Sequence, residues 1–348
     1  MSMLAKVVMK NKKIVIFGGT GSLGVALIRR LVADNELLIY SRDEAKHWTI
    51  RNQMAHPNLK FMVGDVRDQE RVSECLIKFR PNVVIIAAAL KQVDTCELSP
   101  YESIQTNVVG VKNIVDGVER NMPILGDELE TVLMVSTDKA CAPVNVYGMC
   151  KALAERLVSS RSIDNDSVRF VGVRYGNVLE SRGSIIPLFR HQALYADAFT
   201  LTHPGMTRFL MTLDDSIDLI IHAAEHAKSG EIVLPRLKSM LIQDLAEIFS
   251  ERANKPIKII GLRPGEKLHE SLISESESPR ISQDKDHYIL GPAHEIVESS
   301  ADMFSYTSAD DVMGKAELLE YLTSIDMLDR DMDEFPGKHI EEIRMDKS

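Results

Sequence analysis

Cysteine, aromatic side chains and positive charge are all scarce in this chain. Its 348 residues include four cysteines, one tryptophan and 5% aromatic residues in total. Cys75, Cys96, Cys141 and Cys150 are scattered, with no CxxC pair and no metal-ligand spacing. That argues against a disulfide framework or a zinc site and for a reduced, cytoplasmic protein. No apolar run approaches the ~20 residues of a membrane-spanning helix; the longest, Val83 to Leu90, has the length of a buried strand. The first residues, MSMLAKVVMKNKK, lack the apolar core of a signal peptide. Acidic residues number 51 and basic residues 41, a net charge of −10. This disfavours nucleic acid and anionic membrane as partners, while a local basic pocket for a phosphorylated small molecule stays possible. The histidines show no metal or triad spacing, so no metal is expected, and His269 reads as helix surface.

What is present is ordinary globular usage, 45% hydrophobic and 26% charged, in a chain long enough for a sizeable core. Ile14–Phe17, Leu37–Tyr40, Phe61–Val63, Val83–Ala88, Thr131–Val135 and Phe170–Tyr175 read as strands. Leu23–Asp34, Glu70–Phe79, Tyr101–Asn121 and Val146–Ser160 read as helices between them. Repeated βα units with fully apolar strands predict an α/β fold, a Rossmann-type doubly wound parallel sheet over residues 1–176. Beyond Gly176 the rhythm breaks into a smaller mixed lobe, 177–348, with a lone amphipathic helix at Leu241–Ala253. Residues 206–228, with a helix at Asp214–Lys228, are expected to pack back on the first sheet. Ser274–Ser282 (SESESPRIS) reads as a mobile surface loop, and the acidic tail from Asp326 as a solvated helix.

The first strand runs directly into Gly18-Gly19-Thr20-Gly21-Ser22-Leu23-Gly24 and then a helix. Such a turn lets the backbone approach a pyrophosphate, with the helix N-terminus facing the anion. In this strand–turn–helix context the glycines predict a dinucleotide site, with Gly18, Thr20, Gly21, Ser22, Leu23 and Gly24 as its lining. The second strand ends in Ser41, Arg42 and Asp43, with Lys46 one turn on. An NAD site places an acidic residue at this strand end; Ser41, Arg42 and Lys46 instead suit a 2′-phosphate. NADP is therefore favoured, with NAD the lesser option through Asp43. Asp65 and Val66, after the third strand, are placed near the adenine, although a bare Asp65 also suits a helix cap. Ala87, Ala88 and Ala89 after the fourth strand are small enough for the cofactor to lie against them.

Chemistry is concentrated after the fifth strand, in Ser136-Thr137-Asp138-Lys139-Ala140 and in Tyr147 and Lys151. The last two are i and i+4 on one helix face. A tyrosine, with a reference pKa of about 10, is a poor base unless nearby positive charge favours phenolate; Lys151 and a nicotinamide cation are the expected sources. Ser136 or Thr137 can share the substrate hydroxyl. Asp138 and Lys139 place an acid and an amine side by side, as elimination of a hydroxyl next to an oxidised carbon requires.

These segments, with YSRDE (40–44), GDVRD (64–68), AAALKQV (87–93), RYGNV (174–178), SRGS (181–184), MTRF (206–209) and RPGEKLHE (263–270), resemble the extended short-chain dehydrogenase/reductases. Within them the chain is most similar to the inverting UDP-N-acetylglucosamine 4,6-dehydratases (5-epimerases) of glycan synthesis. The resemblance spans residues 13 to about 270. It implies NADP held through the cycle and UDP-N-acetylglucosamine as substrate. It also implies Tyr147, Lys151, Thr137, Asp138 and Lys139 as catalytic residues, with Tyr147 and Lys151 touching the cofactor as well. Lys91 would reach the sugar, and Asn177, Arg208, Arg263 and Glu266 would hold the UDP moiety. The product would be UDP-2-acetamido-2,6-dideoxy-β-L-arabino-hex-4-ulose, and the net class a lyase. A homo-oligomer, a dimer or higher, is implied through the helices carrying Lys112 and Lys151. A UDP-hexose 4-epimerase and a catalytically silent NADP-binding regulator stand as alternatives.

Overall fold

A computed structural model describes residues 9–163, 167–179, 181, 183–296 and 303–328. The first eight residues, Arg182 of SRGS and the acidic tail beyond Leu328 lie outside that set. The described chain divides into two compact units.

The first unit comprises the described residues up to Tyr175, with those of 214–236 and 272–305. Its strands are β1 (Lys13–Phe17), β2 (Glu36–Ser41), β3 (Leu59–Val63), β4 (Val83–Ile86), β5 (Thr131–Val135) and β6 (Arg169–Val173). They lie in the order β3-β2-β1-β4-β5-β6, all parallel. This is the Rossmann order, and it bears out the expected α/β class. Between them run helices α1 (Ser22–Leu31), α2 (Glu44–Gln53) and α3 (Gln69–Phe79), then α4 (Val93–Leu98), α5 (Pro100–Ile104), α6 (Gly110–Leu125) and α7 (Val146–Ser159). Strand β4 is VVII with every residue buried, because helices cover both faces of a parallel sheet. The core on one face joins Val15, Phe17 and Val84 to Leu76, Ile114 and Val118 of α3 and α6.

Three sequence expectations need correction. No element was read between β2 and β3, yet α2 fills that gap, its N-terminus capped by Asp43. The single helix expected over Tyr101–Asn121 is interrupted, a π-helical turn (Gln105–Val109) joining α5 to α6. Residues 272–305 belong to the first unit rather than to the smaller lobe. Strand Ile232–Pro235 extends the sheet beside β6, and the hairpin strands His287–Leu290 and Ile281–Gln283 add to it antiparallel.

The segment Ser274–Ser282 is likewise no mobile surface loop. It contains a short 3₁₀ turn and the start of an edge strand, and its Glu277 is buried. Arg174, 2% exposed, places one guanidinium nitrogen 2.8 Å from Glu277 and bonds Glu155 at 2.6 and 3.0 Å. A fully forked arginine between two carboxylates satisfies charges that burial alone would make costly. Of residues 206–228, expected to pack back on this sheet, only those from Asp214 on belong to this unit, and Asp218 of the helix Leu213–His226 is bonded to Arg30 of α1 at 2.8 Å.

The second unit comprises the described residues of 176–213 and 237–271 and those from Tyr306 on. Four short strands, Val312–Met313, Ser239–Leu241, Thr207–Met211 and Asn177–Val178, form its main sheet in that order. Helices Ile185–Tyr195, Ile242–Ala253 and Lys315–Ser324 contribute to a separate core, in which Phe189 meets Phe199 and Phe249 edge-on.

Candidate active site

The glycine turn is shaped by contacts that only glycine permits. Gly18 has φ +87°, and a Cβ there would lie 2.5 Å from the Ala88 nitrogen. The turn after β1 is thereby seated on the Ala87–Ala89 segment after β4. Helices α2, α3 and α7 each have a capping side chain, from Asp43, Asp68 and Asn145. Helix α1 begins at Gly21 with no side-chain cap and no acidic residue in its first turn. Its N-terminal amides thus suit an external anion. A Cβ on Gly21 would meet nothing closer than the Gly18 carbonyl at 3.6 Å, so no packing demands glycine there. Space for a close-lying ligand does, and on this observation a dinucleotide fits the turn.

At the end of β2, Thr20 bonds Ser41 at 3.2 Å and Ser41 bonds His47 at 2.8 Å. Arg42 is half exposed, 3.6 Å from Asp65. Asp43 is engaged as the α2 cap and in an ion pair with Lys46 at 3.1 Å. Asp65 caps no helix, since Asp68 caps α3; its carboxylate is held by Arg67 at 2.7 to 3.0 Å. The Val66 side chain lies in the core. Ser22, Leu23 and Gly24 form the first turn of α1.

At the end of β5 the side chains separate by role. Ser136 is buried and donates to Glu155 at 2.5 Å, so its hydroxyl is engaged inside the fold. Thr137 donates to Asp138 Oδ1 at 2.9 Å. Lys139 Nζ stands 3.1 Å from the same Asp138 oxygen, with Asp138 buried and Lys139 mostly so. Gly148 allows this proximity: a Cβ there would fall 2.2 Å from the Lys139 carbonyl, so α7 starts directly against the 138–140 turn.

Lys151 is placed differently from expectation. Its Nζ donates to the Val135 carbonyl at 2.6 Å, and burial lowers its pKa to about 8. The Tyr147 phenol is raised above its usual value by burial, and the cation opposing that rise is Lys139. Phenolate is therefore favoured by Lys139, while Lys151 anchors α7 to the end of β5.

Asn107, inside the π turn, is a residue that sequence reading missed. Its amide nitrogen donates to the Leu90 carbonyl and its oxygen accepts from the Leu90 nitrogen, each at 2.8 Å. It fixes the backbone immediately before Lys91, whose side chain is exposed. A π turn often marks a functional position, but nothing in the local sequence announces one.

In the second unit, Asn177 holds a buried side-chain oxygen with no hydrogen-bond partner among the described residues. Arg208 is 8% exposed, donates to the Thr207 carbonyl at 2.7 Å and the Leu268 carbonyl at 3.2 Å, and lies 3.9 Å from Glu270. Arg263 and Glu266 bracket a turn, with Glu266 accepting from the Arg263 amide at 3.2 Å. His269 is not helix surface: it lies outside any helix and bonds Thr207 at 2.8 Å. The sequence also concealed a gathering of His222, Asp284 and His287. His222 lies four residues before His226 on one helix, so the two share a face, while Asp284 and His287 come from a distant segment.

The strand order, the glycine turn and the Tyr147–Lys151 pair define a Rossmann-type protein of the nucleotide-sugar epimerase/dehydratase kind. The chain belongs to the polysaccharide biosynthesis protein family, whose model matches residues 14–292. It is 40% identical over 288 residues to a UDP-glucose 4-epimerase of Rickettsia rickettsii, covering 80% of this chain and 82% of that one. It is 38% identical over 296 residues to a Methanocaldococcus jannaschii protein named an uncharacterized membrane protein, covering 81% and 86%. Among the described residues here, no helix is long and apolar enough to cross a membrane. The X-ray structure of Pen from Bacillus thuringiensis matches with a TM-score of 0.84 at 30% identity, over 92% of this chain and 99% of that one. The dTDP-glucose 4,6-dehydratase DesIV of Streptomyces venezuelae shares the fold, with a TM-score of 0.63 at 20% identity over 74% and 88%.

Proposed function

We propose that the chain is an NADP-dependent, configuration-inverting UDP-N-acetylglucosamine 4,6-dehydratase, a lyase. The observation that carries this reading is the Asp138–Lys139 pair, 3.1 Å apart beside Tyr147 and Thr137. Elimination needs a base for one proton and an acid for one hydroxyl; a 4-epimerase needs neither group. NADP, when bound, supplies a hydride acceptor that later returns the hydride. Gly18 to Gly24 would hold its pyrophosphate and Arg42, with Ser41 and Lys46, its 2′-phosphate. Engagement of Asp43 in capping α2 supports NADP over NAD.

The chain's own groups then divide the proton work. Tyr147 acts in its phenolate form, favoured by charged Lys139, and takes the proton of the C4 hydroxyl at its phenol oxygen. Once C4 is oxidised, the C5 proton is acidic. With Tyr147 now neutral, the proton shared by the Lys139–Asp138 pair passes to Asp138; neutral Lys139 then removes the C5 proton at Nζ, and Asp138 gives its proton to the C6 hydroxyl, which leaves as water. Reprotonation of C5 from the opposite face completes the inversion. Lys91 reaches the sugar, while Asn177, Arg208, Arg263 and Glu266 hold the UDP moiety. The unpartnered oxygen of Asn177 supports a ligand role for that residue.

A second reading, a UDP-hexose 4-epimerase, is favoured by the names of the Rickettsia relatives. Incubation with UDP-N-acetylglucosamine in D₂O, followed by proton NMR and mass spectrometry, separates the two. Loss of one water, a new C6 methyl signal and deuterium at C5 is the expected result. A 4-epimer with its water retained would transfer the assignment to the epimerase.

A further inference from the structure

In the first unit, apart from the residues assigned above, two imidazoles meet one carboxylate, with a third imidazole beside them. His222 and His226 lie one turn apart on the helix Leu213–His226, their rings meeting edge to face at 4.9 Å. His287 opens the strand His287–Leu290, and its ring stacks on His222 with centroids 4.4 Å apart and planes 23° apart. Asp284 sits in the hairpin turn before that strand. One of its oxygens is 3.4 Å from His287 Nδ1 and the other 4.0 Å from His222 Nε2.

One donor atom from each of His222, Asp284 and His287 lies within 4.8 Å of the other two. Zinc bonds of about 2.0–2.2 Å to nitrogen and oxygen place tetrahedral donors about 3.3–3.5 Å apart. The 3.4 Å pair already meets that spacing, and modest side-chain rotation brings in the third donor. The carboxylate is pre-oriented, because Asp284 Oδ1 accepts from the Asp286 and His287 amides at 2.8 and 2.6 Å. His287 Nδ1 is buried and has no hydrogen-bond partner among the described residues. Two neutral imidazoles and one carboxylate are the donor set of a borderline-soft divalent ion, not of magnesium or calcium, which prefer oxygen alone.

We propose that His222, Asp284 and His287 bind a divalent transition-metal ion, zinc foremost, with solvent at the remaining coordination position. The ion joins the helix Leu213–His226 to the hairpin 281–290, which carries one edge strand of the large sheet. Its consequence is a metal-dependent gain in stability of this unit, since an ion bound only by the folded state stabilises it.

The test uses the full chain, dialysed against chelator and titrated with zinc chloride by calorimetry. Cobalt chloride and visible absorption report the geometry, and a thermal melt the stability. One ion per chain, micromolar or tighter affinity and a raised melting temperature are expected. H222Q and H287Q should each weaken binding by at least about tenfold and abolish the thermal shift. Their melting temperatures in chelator, and their turnover, should match the parent. Should either histidine variant unfold, D284N must show the same weakening. No saturable uptake in the micromolar range overturns the proposal, and so does uptake undiminished in folded variants.

Discussion

Tyr147 has a phenol that burial holds in its protonated form, so its use as a base depends on what stands around it. Thr137 and Lys139 are those neighbours. Tyr147→Phe should lower kcat by about 10²–10⁴-fold while leaving KM nearly unchanged, because only the proton-transfer step loses a group. Steady-state kinetics on UDP-N-acetylglucosamine checks it, and an equal loss in KM would make the tyrosine a binding residue. Tyr147 and Lys151 are legible as residues from their i, i+4 spacing. That the lysine bonds the Val135 carbonyl is not, because it depends on where a strand ends in space. Glu277 shows the same limit in a polar segment. Burial pushes its carboxyl up, but the bond and charge of Arg174 prevail and bring it to about 2. The folded value lies below the unfolded one of about 4.3, so the pair's contribution is present above pH ~4.3 and is lost as pH falls towards 2. Glu277→Gln should cost about 3 kcal/mol at neutral pH. Its thermal midpoint should also fall less steeply between pH 4.3 and 2 than the parent's.

At the scale of elements, the β1–α1 turn carries the clearest signature. Its glycines announce it, and the close fit of Gly18 on Ala88 explains why a side chain is excluded. Gly18→Ala should both destabilise the fold and weaken the cofactor, at a cost of about 1–3 kcal/mol for the strained backbone alone. The neighbouring β2 end decides which cofactor. Arg42→Ala should reduce NADP affinity by about tenfold or more and leave NAD affinity nearly unchanged, since one charged hydrogen bond to phosphate is removed. Fluorescence titration with each dinucleotide reads this directly, and equal losses for both would remove Arg42 from the 2′-phosphate. Helix α2, by contrast, escaped sequence reading for a physical reason. It buries only His47 and Ile50 and leaves Trp48 64% exposed, so no apolar stripe marks its face. The π turn escaped for another: its deviation is set by Asn107 binding the Leu90 backbone, a contact 17 residues away in sequence.

For the whole molecule, the parallel sheet was legible because its strands carry apolar runs such as IVIF, LLIY and VVII at regular spacing, whereas the return of 272–305 to that sheet was not. The hairpin strands Ile281–Gln283 and His287–Leu290 are three and four residues long and offer no periodicity to read, and Ile232–Pro235, which pairs with the second of them, is itself four residues long. The outer surface raises a last question. Helices α4, α5 and α7 of the first unit expose Leu98, Tyr101, Met149 and Leu153 at 86%, 68%, 48% and 57%. Met149 and Leu153 are i and i+4 and so share one face of α7. Scattered exposed apolar residues need no explanation, but four on helices of the same region favour association. We therefore expect a homodimer through these helices, with the self-complementary patch that two-fold symmetry requires. Light scattering of the parent chain should give twice the mass of the 38.9 kDa protomer. Leu153→Asp places two like charges at or near such an axis and should reduce the measured mass to that of one protomer. Leu153 is 57% exposed, so the fold has no need of it, and the melting temperature of the variant at low concentration should match the parent's. A parent that is already monomeric, or an L153D protein that keeps the dimer mass, would move any assembly to another face.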